Sequence, residues 1–240
     1  MYGYRARIGF TSPLSATEVF PYEFYEMVPK GVTLVLTTLA VAEITAEEIE
    51  RTYAMTLEAA KAVARVGVNL VVLGGLPNLL VRGFDHLEDL IRDTQQAIGV
   101  PVTTALTAQI DALRQTGAKR VAVAHPLAPG AHDGLFTDIV QHYGFELADI
   151  KGGGKGGREL GLIPLEMSVE LCRALKRDNP AADTMWLPSP HWAVSEAIEQ
   201  IEQELDVTVI AANQAITWHA LRRCGVEDRL PGWGRLLQAF

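Results

Sequence analysis

Ser189 and His191 stand two residues apart in Pro188-Ser189-Pro190-His191-Trp192, directly after the apolar stretch 184–187. A serine hydroxyl beside an imidazole can supply a nucleophile and a base. A nucleophile elbow, however, reads GxSxG, and here prolines flank the serine. The segment therefore reads either as a Ser–His pair or as a rigid proline turn that packs Trp192. His125 follows another apolar stretch, 120–124. It reads as a polar cap, as an acid/base partner of His191, or, with His132 and Asp133, as part of a metal site. No HxH or HExxH spacing supports a metal, and none is expected.

The segment 151–159 is the most conspicuous in composition. Gly152, Gly154 and Gly157 spell GxGxxG, but five of the six residues 152–157 are glycine, so the match follows from composition. No acidic residue ends a strand about twenty residues on, and no GK[ST] is present, so a nucleotide cradle is not expected. The reading is a mobile loop, with Lys151, Lys155 and Arg158 available to an anionic substrate.

These residues need a frame. Short apolar runs at 7–10, 32–36, 69–73 and 100–104 alternate with amphipathic stretches at 45–66, 86–98 and 107–116. Thr45 is placed as the cap of the first of these helices, with Glu47 and Glu48 in its first turn. Asp85 is placed as a cap of the second. Alternation of apolar strands with helices predicts α/β architecture with parallel sheets flanked by helices. The order then repeats at an offset of about 113 residues: Arg7-Ile-Gly-Phe-Thr-Ser-Pro-Leu matches Arg120-Val-Ala-Val-Ala-His-Pro-Leu. The expectation is two pseudo-symmetric lobes, 1–116 and 117–240, with the last helix, 214–223, free to cross back. Ligands of such sheets bind beyond the carboxyl ends of strands. That places the loops 11–17, 74–78, 125–130 and 188–192 around a cleft between lobes.

Composition limits the partners. The 240 residues carry 21 Lys+Arg against 29 Asp+Glu, a net charge of −8, which argues against a nucleic-acid or anionic-membrane surface. No apolar run reaches the ~20 residues of a membrane span, and no signal-peptide pattern opens the chain. A cytoplasmic protein is expected. Cys172 and Cys224 both fall in helical patterns and read as buried reduced thiols.

The chain resembles the aspartate/glutamate racemase superfamily, in particular its arylmalonate decarboxylase and maleate cis-trans isomerase branch. The residues that carry the likeness are Ile8-Gly-Phe-Thr-Ser-Pro, the stretch 69–75 with Val81-Arg-Gly, Gly117-Ala-Lys-Arg-Val-Ala-Val-Ala, Val169-Glu-Leu-Cys, the strand and turn 185–191, Asn213-Gln-Ala-Ile-Thr-Trp and Arg229-Leu-Pro-Gly-Trp-Gly-Arg-Leu. The resemblance implies cofactor-free acid/base or nucleophilic chemistry by cysteine on a small carboxylate, in a monomer or small homo-oligomer. It places the first-lobe position on Gly75, as in the decarboxylase, and the second-lobe thiol on Ser189, with the neighbouring glycine replaced by Pro190. The hydroxyl residues of the family's oxyanion loop become Leu76 and Pro77, its tyrosine becomes Leu127, and the isomerases' asparagine becomes Ala16.

Racemisation by two thiols is thereby excluded. The first expectation is a lyase or isomerase acting on a small carboxylate through a rebuilt site. His191, Ser189 and His125 would carry the chemistry, while Thr11, Ser12, Gly75, Asn78, Pro190 and Asn213 would touch substrate. The alternatives are a hydrolase in which a histidine activates Ser189 or a water, and an inert binding protein that keeps the cleft.

Overall fold

A computed structural model describes residues 2–14, 17–41 and 45–240; the side chains of residues 40, 41, 49, 78, 157 and 158 lie outside that description. In chain order the elements are β1 (Ala6–Leu14), α1 (Val19–Met27), β2 (Val32–Val41), α2 (Ala46–Ala64), β3 (Leu70–Leu73), α3 (Leu76–Leu80), α4 (Asp85–Ile98), β4 (Val102–Thr104) and α5 (Ala105–Gln115). They continue with β5 (Arg120–Leu127), α6 (Asp133–His142), β6 (Glu146–Lys155), α7 (Glu166–Asp178), β7 (Thr184–Leu187), α8 (Ile198–Leu205), β8 (Thr208–Ala211), α9 (Ala212–Arg223) and α10 (Gly234–Ala239). Among the described residues, no helix is long and apolar enough to cross a membrane.

The strands form two parallel sheets, ordered β2-β1-β3-β4 and β6-β5-β7-β8. The chain divides into two compact units. One holds residues 1–17, 28–108 and 219–228; the other holds 18–27, 109–218 and 229–240. Helix α1 thus belongs to the second unit although it lies between β1 and β2 in the chain.

The central strands are buried along their length, as parallel strands covered on both faces must be. In the second unit, Ala122, Ala124, Met185, Leu187, Val209 and Ala211 pack in one cluster with Cys172 and Leu175 of α7 and Ile198 and Ile201 of α8. Trp186 lies in edge contact with Phe136 of α6, and its Nε1–H donates to Gln109 Oε1 at 2.8 Å. Thr45 caps α2 as its sequence indicates, its Oγ1 accepting Glu48 N–H at 3.2 Å. Asp85 differs: it occupies the first turn of α4, where its charge faces the helix dipole, and makes no side-chain cap.

Three strands run further than their apolar cores suggest. β1 continues through Thr11 and Ser12 to Leu14, β2 to Val41, and β5 through His125 to Leu127. The β1–β2 register shifts between Ser12 and Leu14, and the β5–β6 register between His125 and Leu127. A proline, Pro13 or Pro126, sits at each shift, where the missing N–H interrupts the ladder. The duplication therefore extends to the bulge itself.

Where a mobile loop is expected, Gly152, Gly153 and Gly154 lie in strand β6, and Gly156 and Gly157 lead into a short 3-10 turn. β6 pairs with β5 as far as Leu127↔Lys155. A Cβ on Gly152 would stand 2.6 Å from Leu127 O and 2.9 Å from His125 Cε1, and one on Gly153 would stand 2.7 Å from Met167 Cε. Close approach of the edge strand to the β5 bulge requires these glycines, so no phosphate is needed to explain them.

Candidate active site

In the second unit, β7 ends at Leu187 and the chain turns sharply. Trp192 N–H donates to Ser189 O at 3.4 Å, closing a β-turn with Pro190 and His191 at its centre. Proline is favoured at the first central position because its φ is already set. Trp192 is fully buried and anchors the turn, whereas Ser189, Pro190 and His191 remain partly exposed. Burial pushes the His191 pKa down to about 4, so the ring is neutral at neutral pH.

A residue far away in sequence holds this turn. Glu23 of α1 is buried, and its Oε1 accepts Val194 N–H and Ser195 N–H, each at 2.9 Å. Its Oε2 accepts the Asn213 Nδ2–H at 2.6 Å, and the same Nδ2 donates to Pro190 O at 3.2 Å. Asn213, near the start of α9, is thus tied to the turn, while its Oδ1 is buried with no hydrogen-bond partner among the described residues. Sequence reasoning missed Glu23. Its signal was a carboxylate on the buried face of α1, among Val19, Phe20, Phe24 and Met27.

His125 is on the neighbouring strand, two residues beyond the Val123↔Trp186 pair of β5 and β7. It lies inside β5, fully buried, with Nε2 3.0 Å from Asp133 Oδ1 and its ring 5.2 Å from that of Phe136. His132 packs on the same ring at 6.4 Å, and burial together with the nearby His125 lowers its pKa. Among the described residues, no group of three or more His, Cys, Asp or Glu is arranged to hold a metal ion.

A cavity of about 340 Å³ adjoins the buried carboxylate, lined by Glu18, Tyr22, Glu23, Leu165, Ala193 and Glu196 among others. Three carboxylates around it disfavour an anionic occupant.

In the first unit, Thr11 is buried, and Gly74 N–H donates to Thr11 O at 2.9 Å. Ser12 is fully buried, its Oγ without a partner among the described residues. Gly75 stands at φ 91, a backbone only glycine adopts freely, and it precedes α3. Leu76 behind it is buried, which matches an aliphatic residue where the resemblance implies hydroxyls. Ser15, Ala16 and the Asn78 side chain lie outside the described residues. Cys172 is fully buried in α7, which pushes its thiol up to about 12. Cys224 follows the end of α9 instead of lying mid-helix, and burial raises it too.

The arylmalonate decarboxylase family model matches residues 8–237. The chain belongs to that family. It is 27% identical over 207 residues to the arylmalonate decarboxylase of Bordetella bronchiseptica, covering 82% of this chain and 83% of that protein. Solved structures agree in fold. A glycine-to-cysteine, cysteine-to-serine double mutant of arylmalonate decarboxylase in liganded form superposes with TM-score 0.88 at 24% identity, covering 96% and 98% of the two chains. The maleate isomerase of Pseudomonas putida S16 gives 0.87 at 22% identity, with 98% of each chain covered. A cysteine-to-serine mutant of the Nocardia farcinica maleate cis-trans isomerase, holding a covalently bound succinylcysteine intermediate, gives 0.86 at 21%, covering 98% and 99%. The two-sheet α/β fold of these structures is the one this sequence adopts.

Proposed function

We propose that this member of the arylmalonate decarboxylase family is a cofactor-free lyase that removes CO2 from a small malonate-type dicarboxylate, with Ser189 and His191 in place of the thiol. The observation that carries this reading is the neutral, partly buried imidazole of His191 on the same turn as Ser189.

The direction of proton flow decides between lyase and isomerase. Isomerisation or racemisation must take a proton from a C–H, or add a nucleophile to a double bond. A base with a pKa near 4 is too weak to drive either through a serine hydroxyl. Decarboxylation makes the opposite demand. The bond between the central carbon and one carboxylate breaks, CO2 leaves, and the electron pair stays on the carbon beside the remaining carboxylate. That carbanion is a strong base and takes a proton even from a weak acid. Ser189 Oγ–H supplies the proton, and water restores it through the neutral His191 ring, which accepts at one nitrogen and releases at the other. The net change is substrate dianion plus one proton to monoanion plus CO2.

Incubation of the protein in D2O with aryl- and alkyl-substituted malonates and with maleate tests the reading. The expected result is CO2 release from at least one malonate with one deuterium at the carbon beside the surviving carboxylate, and no conversion of maleate. Conversion of maleate with no malonate turned over would overturn it.

A further inference from the structure

We infer that Glu23 is a positioning residue which, acting through Asn213, sets the orientation of the Pro190–His191 peptide and hence of the His191 ring; the inference rests on the role proposed for that turn.

A buried carboxylate without a cation beside it is costly to hold, so its partners show what it holds in place. Among the described residues, Glu23 has three donors and no cation. Two donors, Val194 N–H and Ser195 N–H, open the short turn Ser195–Ala197 that leads into α8. A carboxylate there acts as a helix cap, and a cap alone would explain Oε1.

It would not explain Oε2. Asn213 offers its amide nitrogen to two acceptors, Glu23 Oε2 and Pro190 O. Neither can donate when the carboxylate is ionised, so the amide cannot flip without losing both bonds. The carboxylate therefore fixes the amide, and the amide fixes the Pro190 carbonyl. A peptide unit is planar, so pinning that oxygen fixes the plane that also contains the His191 nitrogen. The Trp192 N–H bond to Ser189 O closes the turn from its other end. Ser189 and His191 are thus held relative to one another by a residue some 170 positions earlier, on α1.

The test compares Glu23→Gln and Asn213→Ala with the wild type. Glu23→Gln preserves shape and the backbone bonds but sets an amide N–H against the Asn213 nitrogen. Asn213→Ala leaves the cap bonds of Val194 and Ser195 intact and removes both bonds of the amide, to Glu23 Oε2 and to Pro190 O. Two readouts are taken: amide hydrogen exchange by mass spectrometry, and kcat and KM for deuterium-labelling decarboxylation. Both variants are expected to exchange about tenfold faster at residues 189–193, with the capped amides of Val194 and Ser195, β7 and α8 unchanged, and to lose roughly 10–100-fold in kcat with KM within about threefold. If Glu23→Gln does not fold, Asn213→Ala decides the matter, because the cap survives in it. Wild-type exchange at 189–193 in a folded Asn213→Ala variant overturns the inference, as does exchange that rises across the whole unit. If the wild type decarboxylates nothing, the proposed reaction fails, and the exchange measurement still decides whether Glu23 holds the turn.

Discussion

His125 Nε2 lies 3.0 Å from Asp133 Oδ1, inside a strand and against the Phe136 ring. This pair ties β5 to the first turn of α6, and the ring fills space that Gly152 leaves open. His125→Ala is expected to lower stability in urea by about 2–3 kcal/mol, the usual cost of a cavity and a lost buried bond. Turnover per folded molecule should fall less than tenfold. A loss above a hundredfold in a fully folded variant would place His125 in the chemistry.

The glycines of β6 and α6 make a matched pair of tests. Gly152→Ala places a methyl 2.6 Å from Leu127 O, and backbone cannot give way as a side chain can. A loss of about 1–3 kcal/mol is expected. Gly134, inside α6, has nothing within 4 Å of an added Cβ. Gly134→Ala should gain about 0.5–1 kcal/mol through helix propensity. Thermal unfolding of both variants checks the signs.

The fold was legible because apolar runs alternating with capped helices leave few architectures open. Strand lengths were not legible: Ser12 and His125 look like strand ends because each precedes a proline, whereas the sheet absorbs that proline as a bulge. The glycine run looked like a loop because sequence cannot show that Leu127 O and Met167 crowd it. Ser189, Pro190, His191 and Asn213 are read as site residues from their place after strands, and the structure links Asn213 to Pro190. Glu23 was not, because its partners lie 171 to 190 residues away.

His219 gives a pH dependence of known sign. It is buried, its Nε2 sits 3.0 Å from Thr103 Oγ1, and burial first, then the nearby Arg223, pushes its pKa down to about 4. The unfolded chain binds this proton near pH 6.5, so its contribution is complete above about 6.5 and is lost as pH falls toward 4. His191 acts with the same sign. Unfolding free energies from urea titrations between pH 7.5 and 4.5 should fall, by up to about 3 kcal/mol per group at the acid end. His219→Gln should flatten the slope.

Cys172 and Cys224 are expected to be dispensable. The double change to serine should cost about 1–2 kcal/mol, mostly from the hydroxyl buried at position 172, and leave kcat within about twofold. Complete inactivation of a folded double variant would place a thiol in the mechanism.

The central claim is that Ser189 and His191 together deliver the proton. The direct measurement is kcat/KM for decarboxylation of an accepted malonate in D2O by the wild type, His191→Ala and Ser189→Ala, across pH 3.5–8. The account predicts a loss of roughly 10²–10⁴-fold in each variant with folding retained. It also predicts a wild-type acid limb near pH 4, where His191 titrates, that disappears in His191→Ala. Near-normal rates and an unchanged limb in His191→Ala would contradict it.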